Sequence, residues 1–162
     1  MEKTQCYLGI PNAVVLCIDK CDPVYAGRFY HHFSKDALRF EGLSDLLLQM
    51  EDLYNDMRFP FPGNNERHFF KKEVIYMEKE MTRALEDDEM LEMHGDLGTF
   101  IIRVQHRQNS SWQGRITWVE EDKTLYFRSV WEMVKLIEEA MGHNKEEEND
   151  PSWNEKRDKK SP

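Results

Sequence analysis

Tyr25-Ala26-Gly27-Arg28 and Trp112-Gln113-Gly114-Arg115 share an aromatic-x-Gly-Arg order at an offset of 87 residues. The match extends in both directions without a gap. Asp22 pairs with Asn109, Val14-Val15 with Ile101-Ile102, and Leu38 and Phe40 with Leu125 and Phe127. Farther along, Leu43, Leu46, Leu47, Met50 and Tyr54 align with Val130, Met133, Val134, Ile137 and Met141. Agreement in element order, turn position and apolar face predicts two copies of one unit.

Within the first copy, residues 13–20 are β-branched and apolar and predict a strand. Asp22-Pro23 predicts a turn, and Ala26 to Phe33 an aromatic-rich second strand. Residues 37–40 predict a short third strand. Gly42 opens a helix running to about Met57 with its apolar residues at helical spacing, and Pro60 and Pro62 close the unit. In the second copy, Thr99 to Arg107 alternates: Phe100, Ile102 and Val104 are expected on one side, Arg103, Gln105 and Arg107 on the other. Strands at 112–120 and 124–127 follow. Ser129-Val130-Trp131-Glu132 reads as a capping box, opening a helix that ends near Gly142.

The expected fold is α+β: two tandem β-β-(β)-α repeats in a pseudo-twofold body, with up to six strands and two equivalent helices on one side. Neither repeat alone buries enough for independent stability. Residues 1–63 form the first repeat, 64–98 a charged helical connector, 99–142 the second repeat, and 143–162 a disordered charged tail. The connector reading rests on Lys71 to Met93, dense in Glu, Lys, Asp and Met and free of Gly and Pro. The tail is too polar to order itself, and Trp153 is its large apolar residue, a docking anchor or an incidental one.

Composition narrows the function. The chain has 162 residues, 40% hydrophobic and 33% charged, with net charge -9. That balance disfavours nucleic acid and anionic membrane surfaces as partners. No apolar run is long enough to span a bilayer, and Met1 to Cys6 lacks the pattern of a secretory signal, so the cytoplasm is the expected compartment. The three cysteines, Cys6, Cys17 and Cys21, suit no disulfide framework. Cys17 and Cys21, with His31 or His32, match no zinc spacing, and free thiols are expected. No metal or cofactor is expected. The six histidines, His31, His32, His68, His94, His106 and His143, fall in no metalloprotease or deaminase pattern. A phosphate-binding glycine loop and a nucleophile elbow are also missing, so no enzyme activity is expected.

Arg107-Gln108-Asn109-Ser110-Ser111-Trp112-Gln113-Gly114, then Phe127-Arg128-Ser129, resembles a pattern in small proteins of gut clostridia and their relatives. Gly27-Arg28-Phe29-Tyr30, Phe40-Glu41-Gly42-Leu43 and Phe59-Pro60 resemble a companion pattern in the same family. The resemblance covers most of residues 13–142 and implies no activity, since none is known for that family. Separately, Arg103-x-x-x-Arg107 with Asn109-x-Ser111-x-x-Gly114 resembles the signature of PilZ domains, which bind cyclic di-guanylate. In that family the two parts lie farther apart, and the second begins with Asp.

The hairpin around Trp112 is the most distinctive candidate surface. Arg103, Arg107, Gln108, Asn109, Trp112, Gln113 and Arg128 place polar donors beside an aromatic plane, an arrangement suited to a planar or anionic group. Asn109 and Ser110 also favour turns for their own sake, and Trp112 has a core reading. The expectation is a non-enzymatic binding or adaptor protein acting through protein contacts, at its aromatic strands or an open sheet edge. The alternative is a small-ligand or nucleotide sensor using Arg103 and Arg107. The same open edge would pair two copies of the chain.

Overall fold

The computed structural model describes residues 8–63, 66–70 and 80–149, with side chains up to residue 142. Along the chain lie β1 (Val14–Lys20), β2 (Ala26–Tyr30), β3 (Leu38–Glu41), α1 (Leu43–Met57), α2 (Asp87–Leu91), β4 (Gly98–His106), β5 (Gln113–Trp118), β6 (Lys123–Phe127) and α3 (Val130–Asn149). The described strands form a six-stranded antiparallel sheet in the order β3-β2-β1-β4-β5-β6. β1 and β4 meet at its centre, with Val14 opposite Ile102 and Leu16 opposite Phe100. The chain is therefore an α+β protein whose two sets of strands join edge to edge.

Strand alternation sorts the side chains between two faces. Val14, Leu16, Ile18, Phe29, Phe40, Phe100, Ile102, Val104, Ile116 and Phe127 line the face that carries the long helices. Against them α1 buries Leu46, Met50, Leu53 and Tyr54, and α3 buries Met133, Ile137, Ala140 and Met141. Each of the larger side chains contributes about 2 kcal/mol by leaving water. Ala13, Val15, Cys17 and Ile101 point to the other face, where Leu8, Leu85 and Met90 cover them.

That second layer corrects the connector. Residues 71–79 lie outside the described residues, and 80–86 are not helical; among the described residues of the connector, the helix is Asp87–Leu91. Ala84 and Leu85 donate their backbone N–H groups to the His32 carbonyl, at 2.6 and 3.0 Å, instead of to a helical turn. With Leu85 and Met90 buried in the sheet, local helix propensity yields to tertiary packing. Glu86 and Glu89 form a capping box that starts the short helix.

The end of α3 is also corrected. It passes Gly142 and continues to Asn149, so residues 143–149 are helical, and the rest of the tail expectation lies outside the described residues. Gly142 costs only about 1 kcal/mol in an exposed helix, and Lys145 to Glu148 are good helix formers.

The hairpins β1–β2 and β4–β5 share a detail that the gapless alignment misses. In the first, the ladder steps from Ile18↔Gly27 to Lys20↔Ala26, leaving Asp19 as a bulge. In the second it steps from Val104↔Gly114 to His106↔Gln113, leaving Gln105. A Cβ on Gly27 would run into the Cys17 carbonyl, and one on Gly114 into the Arg103 carbonyl. Thus Val104 follows Ile18 by 86 positions, whereas Gly114 follows Gly27 by 87. Matching Val14 to Ile101 would set an inward residue against an outward one, because a one-residue slip reverses every side chain. The matching pairs by face are Val14 with Phe100 and Leu16 with Ile102.

Candidate functional site

The bulge at Gln105 changes what the arginines do. It reverses the alternation between Arg103 and Arg107, so they do not share a face as expected. Arg103 points to the second face, where its Nε donates to the Leu8 carbonyl at 2.8 Å and a terminal nitrogen lies 3.3 Å from Thr117 Oγ1. Arg107 points under α1. Its Nε donates to the Pro60 carbonyl at 2.7 Å, and one terminal nitrogen donates to Glu51 at 3.1 Å and Asn55 at 2.8 Å. The guanidinium also sits 6.0 Å from the centre of the Tyr54 ring. Both arginines are buried, and the phosphate grip expected from their pairing is not formed.

Trp112 belongs to the same cluster. It is buried, meets the Tyr54 ring edge-on at 5.3 Å, and donates its indole N–H to Glu51 at 2.7 Å. Glu51 thus accepts from both Trp112 and Arg107 across α1 and β4–β5. Burial pushes the Tyr54 hydroxyl well above the usual phenol range, and the nearby Glu51 carboxylate adds to it.

The remaining hairpin residues shape the turn. Gln113 clamps it from both sides, accepting from the Gln108 N–H at 2.9 Å and donating to the Gln108 carbonyl at 3.0 Å. Asn109 and Ser110 take the left-handed conformation, with φ 55° and 52°. Ser111 accepts the Val130 N–H at 2.8 Å and so ties the turn to the start of α3. Ser129 caps the Glu132 N–H at 3.1 Å, while Glu132 reaches back to the Arg128 N–H, one residue before the expected cap. The exposed Arg128 side chain pairs with Glu132 at 3.0 Å. The hairpin therefore holds itself, α1 and α3 together, leaving Gln108, Asn109, Ser110 and Arg128 at the surface.

Other clusters also serve the framework. His32, buried under the segment at 84–87, donates from Nδ1 to the Leu85 carbonyl at 2.9 Å and has Asp87 3.2 Å from Nε2. Burial pushes the Cys17 thiol up to about 11, partly offset by Arg28, so the thiolate nucleophile is suppressed. Among the described residues, no three His, Cys, Asp or Glu side chains are grouped to hold a metal. No described helix is long and apolar enough to cross a membrane.

A cleft of about 160 Å³ lies at the hairpin itself, lined by Glu51, Arg107, Ser111 and Trp112 among others, and a wider groove lies between β5–β6 and the second half of α3. This groove has a volume of about 560 Å³. Phe100, Ile116 and Ala140 form its apolar floor, Trp118 and Leu125 one wall, and Leu136 the other. Lys123 and Glu139 stand at its rim. β6 is an edge of the sheet, and Leu125 on it is 55% exposed.

The reason for the hollow appears when the two helices are compared. Ala140 occupies the turn of α3 that Leu53 occupies in α1, and Ile116 stands opposite Leu125 as Phe29 stands opposite Leu38. Smaller side chains at both places leave space unfilled. The sequence carried this signal as an alanine in an otherwise large apolar stripe, beside an edge strand with an outward leucine. Neither a protein family, a curated protein nor a solved structure matches the chain.

Proposed function

We propose that the chain is a cytoplasmic, non-enzymatic binding protein that engages another protein through the groove between β5–β6 and α3. The apolar groove beside an open edge strand carries this reading. A volume of about 560 Å³ falls within the range of ligand-binding clefts. An extended segment laid along β6 would satisfy its outer backbone groups and direct every second side chain toward Leu125, Ile116 and Trp118. Alternating apolar residues in the partner would supply affinity, and Lys123 and Glu139 would set its register.

The scaffold in this proposal is a duplicated β-β-β-α unit. Matching bulges at Asp19 and Gln105 support it, as do the buried helix positions, each 87 residues apart, at Leu46 and Met133, Met50 and Ile137, Leu53 and Ala140, and Tyr54 and Met141. The strongest support is a reciprocal exchange. Tyr25 donates its hydroxyl to Glu138 on α3, while Trp112 donates its indole to Glu51 on α1. Each unit's hairpin thereby grips the other unit's helix.

A selection from a random peptide library, with the full chain as bait, tests the binding surface. Enriched peptides should share alternating apolar residues and lose at least tenfold in affinity to both Leu125→Lys and Ala140→Leu. A selection without a common pattern, or peptides indifferent to both substitutions, would remove the groove as the binding site.

A further inference from the structure

The bulge that carries Arg107 under α1 leaves Arg103 on the second face of the sheet, directly opposite Arg115 of β5. Arg115 in turn stands opposite Tyr126 of β6, and Thr117 stands opposite Thr124. Alternation puts all five side chains on one face, away from the long helices and the groove. Like charges directly opposite on neighbouring strands repel and lower stability.

The two arginines are held differently. Arg103 is buried; its Nε donates to the Leu8 carbonyl, and a terminal nitrogen lies 3.3 Å from Thr117 Oγ1. Both of those acceptors are neutral, so these bonds orient the guanidinium without cancelling its charge. Arg115 is half-buried, and its Nε is buried with no hydrogen-bond partner among the described residues. The described arginine ion pairs belong to Arg28, Arg83, Arg107 and Arg128. A guanidinium taken partly out of water with nothing to bond costs stability that an anion would restore.

Hydroxyls complete the set. Thr117 and Thr124 place their Oγ1 atoms 2.8 Å apart. Because Thr117 accepts from Arg103, it can pass its own proton to Thr124. The exposed Thr124 hydroxyl then has a proton to donate outward. Tyr126, 71% exposed, adds a phenol hydroxyl beside Arg115. None of the five residues is acidic. A phosphate monoester carries roughly -1.5 to -2 charges and three acceptor oxygens, against one charge and two oxygens for a carboxylate. Two guanidiniums and the outward donors of Arg115, Thr124 and Tyr126 match the phosphate.

We infer that this face binds the phosphate group of a small phosphate monoester. Arg115 is the main contact, Thr124 and Tyr126 donate their hydroxyls, and Arg103 is the fixed charge behind them. β6 is the edge strand, so the rest of the ester extends past it into solvent. The net charge of -9 repels long polyanions and favours a small ligand. This site goes beyond the protein-binding groove, lies on the opposite face of the sheet and does not depend on it.

An NMR titration of the full chain, observing arginine side chains, tests the site. Glycerol 3-phosphate, compared with sodium chloride of matched ionic strength, should shift the Arg115 Nε–H signal and saturate. Arg115→Gln should weaken this binding at least about tenfold, and Tyr126→Phe about threefold, the usual scale for a charged and a neutral hydrogen bond. In chloride alone Arg115→Gln should unfold no earlier than the original chain, because it removes a repulsion. A shift reproduced by chloride, an affinity unchanged in Arg115→Gln, or earlier unfolding of that variant would each overturn the inference. Either inorganic phosphate or a phosphoserine peptide binding far more tightly than the ester would overturn the assignment to a small monoester.

Discussion

The half built from β1–β3 and α1 and the half built from β4–β6 and α3 have the same order of elements but are filled differently. In the first, Phe29 and Leu53 fill the space between sheet and helix. In the second, Ile116 and Ala140 leave a groove. The polar ties differ in the same sense. Glu51, in the first half's helix, holds both Trp112 and the buried Arg107, whereas Glu138, in the second half's helix, accepts from the more exposed Tyr25. One half is packed and strongly bonded and the other is more open.

The largest expected effect comes from hollowing the filled half. Leu53→Ala should cost about 3 kcal/mol in urea unfolding, the usual range for truncating a buried leucine without collapse of the site. A cost below about 1 kcal/mol would mean that the first half is not better packed than the second. The next contrast is between the two carboxylates. Glu51→Ala strips Arg107 and Trp112 of their shared acceptor and should cost about 2 kcal/mol, discounted because Glu51 is itself partly exposed. Glu138→Ala should cost less than about 1 kcal/mol. Equal losses would erase the distinction between the two ties.

The smallest effect concerns pH. Burial pushes the His31 imidazole below its ordinary value, with His32 beside it adding to the shift. The unfolded chain then takes up this proton at higher pH than the folded one. The His31 contribution is full above the ordinary histidine value and is lost as pH falls from there through the folded value. Trp118 stands 87 residues on from His31 and does not titrate. Unfolding measured from pH 8 to 5 should flatten in His31→Gln relative to the original chain, and an unchanged slope would mean that His31 is not held neutral.

Much of this fold is legible in the residues. The apolar stripes of α1 and α3, the alternation in β4 and the paired Gly-Arg positions place the strands and the helical face correctly. The candidate site was less legible, for two physical reasons. A single bulge residue reverses every side chain beyond it, and nothing about Gln105 as a residue type announces a bulge, so Arg103 and Arg107 appear to share a face when they do not. Buried Arg107 and Trp112 also have the composition of a recognition surface, because the groups that bind ligands are those that bridge a helix to a hairpin. The groove was missed because it is made by what Ala140 lacks. The connector's helical reading holds for α2 but not for residues 80–86, because His32, distant in sequence, takes the Ala84 and Leu85 N–H groups.

The pairing of β1 with β4 has a consequence for the chain as it is made. Val14 meets Ile102 only after nearly ninety further residues have been synthesised. At ordinary elongation rates that interval is on the order of ten seconds. Throughout it, the strand destined for the middle of the sheet has an open side, rich in valine, leucine and isoleucine. Until β4 arrives, the newborn first half therefore presents an unpaired strand edge, a template on which chains can associate.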